Sequence, residues 1–251
     1  MNQKIAMITG ATSGIGEATA RLLARNSFKL ILCGRRKERL DALKTDLSRM
    51  TEITTLSFDV RDQKAVATAI SSLQAPWRGI DVLINNAGNA HGFDPIHTGS
   101  IEDWDAMVDI NVKGLLYVTR EVTPIMTERK GGHIINLGSI AGKEVYLNGN
   151  VYCASKFAVD ALTKGIRMDL NPFGIKVTSI NPGLVETEFA SVRFKGDAVR
   201  AEGVYKGMTP LRGEDIADII LYTLNSPAHV VLADITVLPT AQASAAMVRR
   251  D

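Results

Sequence analysis

Short apolar runs recur along the chain, separated by longer stretches whose apolar residues return every three or four positions. The runs lie at 5–8, 30–33, 54–58, 82–85, 133–137, 176–180 and 234–237. Several are continuously apolar rather than alternating, the pattern of strands covered on both faces. The stretches near 16–26, 37–50, 62–73, 101–129, 150–171 and 213–225 predict helices. Regular β-α alternation predicts the α/β class: a single-domain, Rossmann-type doubly wound parallel sheet of about seven strands with helices on both faces. No repeat, linker or low-complexity stretch divides residues 1–251. The segment 183–210, rich in glycine and charge, predicts a long irregular connection that serves as a substrate-binding lid.

Length and composition agree with that picture. A chain of 251 residues suffices for one α/β domain with a sheet buried on both faces. With 29 basic and 27 acidic residues, nothing points to nucleic acid or an anionic membrane as a partner. The apolar runs are too short to span a bilayer, and no leader-like segment precedes the first run; a soluble, cytoplasmic protein is expected. Cys33 and Cys153, the only two cysteines, read as small packing residues rather than a structural disulfide. No metal site is expected.

Two clusters carry the chemistry. The first is Thr9-Gly-Ala-Thr-Ser-Gly-Ile-Gly16, directly after the first apolar run. A buried strand running into a glycine turn, with a helix opening at about Gly16, presents backbone N–H groups and the positive helix end to a pyrophosphate. A plain strand–turn–helix connection is the bland alternative. The second cluster is Ser139, Tyr152 and Lys156, spaced Ser-x12-Tyr-x3-Lys. Positions four apart share a helix face, so Lys156 is expected to hold its ammonium near the Tyr152 phenol. A free tyrosine titrates near ~10. A neighbouring cation favours phenolate and brings that value toward the useful range. Ser139 follows the run at 133–137 and stands ready to hold a substrate oxygen.

The end of the second predicted strand reads Cys33-Gly-Arg-Arg-Lys-Glu-Arg39. A carboxylate directly at the strand end would bind the ribose hydroxyls of NAD; that place holds Gly34, Arg35 and Arg36, and Glu38 follows only in the predicted helix. Cations at a helix N-terminus oppose the macrodipole unless an anion joins them. The 2′-phosphate of NADP is such an anion, and a guanidinium fork suits it. NADP(H) is therefore expected, with Arg35 ahead of Arg36; a solvated basic turn is the alternative.

Together with Asp59-Val60, Asn85-Asn-Ala-Gly88, Asn111 in Ile-Asn-Val-Lys-Gly, and Pro182-Gly183 followed by Thr187, these segments resemble the classical short-chain dehydrogenase/reductase family over nearly the whole chain. The resemblance implies a cofactor site of Gly10, Thr12, Ser13, Gly14, Ile15 and Gly16 around the phosphates, with Arg35 and Arg36 at the 2′-phosphate. It places Asp59 and Val60 at the adenine and Asn86, Ala87 and Gly88 at the ribose side. Pro182, Gly183, Val185 and Thr187 would close the nicotinamide end, Thr187 on the carboxamide. Tyr152 would be the proton donor in reduction, and Lys156 would bind the nicotinamide ribose. Ser139 would bond the carbonyl oxygen, and Asn111 would hold a water linking Lys156 to solvent.

A narrower likeness concerns the substrate. Tyr146, at the end of a strand by this reading, the segment 189–197 and Pro227-Ala-His-Val230 resemble the NADP-dependent 3-hydroxy acid (serine-type) dehydrogenase branch, to which sulfoacetaldehyde reductases are similar. The implied substrate is a small anionic carbonyl or hydroxy compound. Ser139, Tyr146, Tyr152 and Arg193 would hold it, Arg193 clamping a carboxylate or sulfonate from the lid. A 3-oxoacyl-carrier-protein reductase shares the triad and stays open, as does a non-catalytic NADP sensor. The resemblance further implies a homotetramer. Val118, Val122, Ile166 and Leu170 are expected to exceed what one sheet face can cover, and the tail 241–248 to pack against a neighbour.

Overall fold

Each apolar run becomes a strand. In the computed structural model, which describes residues 3–251, the strands are β1 (Ile5–Thr9), β2 (Lys29–Gly34), β3 (Ile53–Ser57), β4 (Ile80–Asn85), β5 (Gly132–Leu137), β6 (Ile175–Pro182) and β7 (Asp234–Val237). They form one parallel sheet in the order β3-β2-β1-β4-β5-β6-β7. The helices are α1 (Gly14–Arg25), α2 (Lys37–Leu47), α3 (Gln63–Ser71), α4 (Ile101–Val108), α5 (Leu115–Arg129), α6 (Asn150–Leu170), α7 (Phe189–Arg193), α8 (Ala198–Gly203) and α9 (Gly213–Leu224). The chain moves outward from β1 in both directions, so a crevice opens between β1 and β4 where the order reverses.

Alternate strand residues feed two cores. Ala6, Ile8, Leu30, Leu32 and Ile84 pack with Leu23 of α1, Leu40 of α2 and Ile216 and Ile220 of α9. Met7, Ile31, Leu83 and Ile134 face the other way, onto Val66 of α3, Val118, Val122 and Met126 of α5, and Leu170 of α6. Burial of each such side chain contributes about 1.5–3 kcal/mol, which is why strands sandwiched in this way need apolar residues at consecutive positions.

Four sequence expectations change. Val118, Val122 and Leu170 are buried in the second core, with Ile166 half-buried against it, so these residues are no apolar surplus awaiting a neighbour. The tail 241–248 folds back on its own chain. Gln242 Oε1 accepts from Leu184 N at 2.9 Å, and Arg249 N donates to the Ala241 carbonyl at 2.8 Å. The single helix expected over 101–129 is interrupted by a π-helical turn at Asp109–Gly114. There the Asn111 side chain reaches out to a loop backbone, and Gly114 lies so near Val60 that a Cβ would stand 2.7 Å from its Cγ2. A widened turn accommodates both. The segment 183–210, expected to be irregular, folds as α7 and α8 with turns between them.

Among the described residues, no helix is long and apolar enough to cross a membrane.

His133 of β5 tests the sheet interior. It is buried, and its Nε2 lies 2.9 Å from Thr178 Oγ1 on β6. Burial, helped by the charges of Lys176 and Lys4, lowers its pKa to about 4. Between that value and ~6.5 the unfolded chain binds a proton that the folded chain refuses, so this residue's contribution to stability falls as pH drops through the window. Going from pH 7 to pH 5 should cost about 2 kcal/mol through His133 alone. In denaturant titrations at both pH values, His133→Gln should therefore show a correspondingly smaller acid loss; an unchanged loss would assign the effect elsewhere.

Candidate active site

The C-terminal ends of the strands converge on one cleft of about 920 Å³. β1 leads into the turn 10–13, and α1 begins at Gly14, two residues earlier than its expected start. Two glycines here are sterically required. Gly14 has φ +54°, and a Cβ on it would stand 3.0 Å from the Thr187 methyl. A Cβ on Gly16 would stand 2.3 Å from the Gly10 carbonyl oxygen and 2.5 Å from Asn86 Nδ2. The opening of α1 is thereby pressed against the sheet. Ser13 stands at its N-cap with extended backbone and makes no side-chain cap, leaving first-turn N–H groups for an anionic ligand.

β1 and β4 are joined above the crevice. Thr9 Oγ1 accepts from the N–H groups of Asn86 (3.1 Å) and Ala87 (3.0 Å), while Asn86 Nδ2 donates to the carbonyls of Thr9 (2.9 Å) and Gly10 (3.1 Å). At the far end of the cleft, Arg35 lies 3.6 Å from Asp59 and is half exposed. Burial opposes ionisation of Asp59, but hydrogen bonds from Arg61 and the charges of Arg61 and Arg35 hold its carboxyl below the usual range. Arg36 is more committed: its guanidinium donates to Thr12 Oγ1 (2.9 Å), Ser13 Oγ (2.8 Å) and Glu188 Oε2 (2.8 Å).

α6 carries the catalytic candidates. Tyr152, Ser155, Lys156, Val159 and Thr163 lie on its buried side. Lys156 Nζ donates to the Leu137 carbonyl at 2.9 Å, and burial lowers its pKa to about 8. Its Nζ is 6.0 Å from the Tyr152 ring centroid. The phenol departs from expectation. Burial pushes its pKa well up and Tyr146 adds to that, with Ser139 and Arg193 opposing. Desolvation of the phenolate outweighs the charge of Arg193 and the Ser139 hydrogen bond.

Ser139 sits beyond the end of β5 at the N-cap of a 3₁₀ turn, Ile140–Gly142, where its Oγ accepts from Ala141 N at 3.1 Å. The Ser139 hydroxyl makes a long approach to the Pro182 carbonyl, 3.5 Å, and lies in hydrogen-bonding reach of the Tyr152 phenol. Asn111 exchanges two hydrogen bonds with the Asn89 backbone (2.9 and 2.8 Å) and donates to Ser155 Oγ at 3.0 Å; Ser155 in turn donates to the Tyr152 carbonyl at 2.7 Å. Asn111 thus braces α6 at the tyrosine.

The roof is formed by α7. Phe189 meets Tyr152 edge to face at 5.6 Å. Arg193 stands among Phe93, Tyr146 and Tyr152, its guanidinium carbon 4.7, 5.5 and 5.5 Å from their ring centroids. Its Nη2 donates to Tyr146 Oη at 2.9 Å and its Nε to the Gly92 carbonyl at 3.2 Å. Tyr146 lies not at a strand end but in the connection between the 3₁₀ turn and α6.

Of the residues singled out in the sequence, Gly10, Thr12, Ser13, Gly14, Ile15, Arg35, Arg36, Asp59, Val60, Asn86, Ala87, Gly88, Ser139, Tyr146, Tyr152, Lys156, Pro182, Gly183, Val185, Thr187 and Arg193 line the cleft. Gly16 and Asn111 stand behind it and shape it. Phe93, Glu188, Tyr205 and the tail residues Ala245, Ala246 and Arg250 also line it; no local spacing in the sequence points to them. Among the described residues, no cluster of His, Cys, Asp or Glu is placed to hold a metal ion.

Free helix-end amides, a basic far end and a buried Lys156 beside Tyr152 lie along the cleft in sequence. This fold and site define an oxidoreductase of the Rossmann type. A family model described as short chain dehydrogenase matches residues 4–198, and the chain belongs to that family. It is 47% identical over 244 residues to the NADP-dependent 3-hydroxy acid dehydrogenase YdfG of Salmonella typhi, covering 97% of this chain and 98% of that one. It is 45% identical over 249 residues to sulfoacetaldehyde reductase 2 of Chromohalobacter salexigens, covering 98% and 99%. A solved structure of the closed form of serine dehydrogenase complexed with NADP+ superposes with a TM-score of 0.92 at 44% identity, covering 98% of this chain and 100% of that one.

The glycine turn supplies a direct test. Gly16→Ala should destabilise the protein by about 1–3 kcal/mol, the usual range for an overpacked site. It should also weaken 2′,5′-ADP binding measured by calorimetry, because the turn must move away from Asn86. Wild-type melting and binding would show the close approach to be dispensable.

Proposed function

We propose that this chain uses NADP(H) to interconvert a small anionic aldehyde or 3-oxo acid, of the malonate-semialdehyde or sulfoacetaldehyde type, with the corresponding hydroxy acid or hydroxysulfonate. The observation that carries the substrate reading is Arg193, held over the Tyr152 ring by Tyr146 and Gly92. An anionic substrate pairing with that guanidinium would have its carbonyl end beside the phenol. The names of the relatives agree with the chemistry and with the cofactor. Arg35 and Arg36 provide cations suited to a 2′-phosphate.

The bound cofactor supplies the hydride. The chain's own residues position the substrate and handle the proton. In reduction, Ser139 donates a hydrogen bond to the carbonyl oxygen as negative charge develops on it. Tyr152 Oη then gives that oxygen a proton. A phenol raised by burial stays protonated at neutral pH, as a donor must. In oxidation the same phenol must accept a proton, and the positive charge of Lys156 favours the phenolate. The region 183–210 acts as a lid, with α7 placing Phe189 and Arg193 over the reacting group. The rival carrier-protein reductase reading shares the triad but has no comparable observation in its favour.

We also propose a cytoplasmic homotetramer. Phe157 and Met168 are exposed on α6 and lie eleven positions apart, hence on one face, with Leu116 exposed on α5. These replace the buried residues first expected to form the interface.

An NADPH-absorbance assay over small anionic aldehydes and hydroxy acids tests the reading. Tyr152→Phe should retain NADPH binding while turnover falls at least ~10²-fold, as for a lost general acid; near-normal turnover would remove Tyr152 from its role. Arg193→Ala should raise KM for anionic aldehydes by roughly ten- to a hundred-fold, the value of a charge-assisted contact. An uncharged aldehyde of similar size should be reduced almost as before. Equal losses on both would leave Arg193 a structural part of the lid.

A further inference from the structure

The turn at the end of β2 and the root of the lid meet at one carboxylate. Glu188, at the N-cap of α7, accepts from Arg36 Nη1 at 2.8 Å and from Arg39 Nη1 at 2.6 Å. Both arginines belong to the basic segment that follows β2, the segment suited to a 2′-phosphate. Thr187, immediately before Glu188, lies against the glycine turn at Gly14. One residue after Glu188, Phe189 packs on Tyr152, and four further on Arg193 stands over the same ring. A single five-residue helix thus has an anion on the cofactor arginines at one end and a cation over the reacting centre at the other.

Charge makes this arrangement consequential. Arg36 already has Glu188 as its anion, and its Nε and Nη2 donate to Thr12 and Ser13. A phosphate dianion arriving at Arg35 and Arg36 therefore meets a carboxylate already seated on its target. Glu188 is about half exposed, so its ion pairs are exchangeable rather than locked. We propose that Glu188 competes with the cofactor's 2′-phosphate for Arg36 and Arg39, and so determines how tightly phosphorylated cofactor is held and couples that occupancy to the position of α7. The inference rests on the NADP(H) reading of the basic turn. It adds a selectivity residue contributed by the lid rather than by the cofactor fold.

The test uses cofactor fragments, so that turnover does not enter. Glu188→Gln keeps the side chain's size and removes its charge. Calorimetry should show 2′,5′-ADP binding about two- to five-fold tighter than in wild type, the scale of one partly exposed ion pair. Binding of 5′-ADP, which lacks the 2′-phosphate, should be unchanged. In an Arg36→Ala background the same substitution should have a smaller effect, because only Arg39 remains as a shared target. Unchanged or weaker 2′,5′-ADP binding in Glu188→Gln would overturn the proposal, showing Glu188 to orient Arg36 for the phosphate instead. Equal gains for both fragments, or a gain undiminished by Arg36→Ala, would also overturn it. If wild type binds the two fragments equally, it is the NADP(H) reading itself that fails.

Discussion

The structure hangs on the close approach of β1, α1 and β4 at the sheet's switch point. Connections leave β1 and β4 in opposite directions, and without a bond between them the crevice would be only a gap. Thr9 and Asn86 close it with four hydrogen bonds of 2.9 to 3.1 Å. The Asn86 amide must reach the Thr9 and Gly10 carbonyls, and the space it occupies is what forbids a side chain at Gly16. The glycine turn, the angle of α1 and the floor of the cleft all follow from this contact. Buried backbone carbonyls left without such partners would each be costly.

A second constraint operates on the other side of the sheet. α6 buries a polar face, which is expensive unless every group is partnered. Asn136 Nδ2 donates to Thr163 Oγ1, and Asn85 Nδ2 donates to both Thr119 Oγ1 and Asn136 Oδ1, each at 2.9 Å. These bonds tie α5 and α6 to adjacent strands near their C-terminal ends. Lys156 and Tyr152 project from the same helix face two and three turns upstream of Thr163. The polar ties set the height of α6 over the sheet, and with it the place of the phenol. Burial there has opposite effects on the pair, raising the tyrosine and lowering the lysine, because in each case it disfavours the charged form.

The roof is built differently. α7 and α8 are too short to be stable alone, and they rest on side-chain contacts at both ends of the cleft. Lys195 reaches Asp103 of α4 at 3.0 Å, Gly92 and Arg193 exchange backbone and side-chain bonds, and Arg250 of the tail donates to carbonyls of Val204 and Lys206. Such partly exposed ties are individually weak.

Much was legible in the sequence because it is local. Strand and helix positions follow from periodicity, and the glycine turn and the Tyr152–Lys156 pair each lie within a few residues, where spacing and backbone geometry decide. The family likeness then brought the scattered segments together, including Asn111 and Thr187, which no short-range pattern would connect. What depended on distant surroundings was not legible. The direction of the Tyr152 shift turns on how fully the phenol is desolvated, and the order of commitment between Arg35 and Arg36 turns on Glu188, 152 positions from Arg36. Val118, Val122 and Leu170 looked like an interface because their cover, strands β1, β4 and β5 and helix α3, comes from elsewhere in the chain. The sequence by itself marked the candidate residues and most of the strands and helices around them. Only the tertiary structure decided their charge states and partners, because solvent exclusion and ion pairing are set by neighbours that the order of residues does not place side by side.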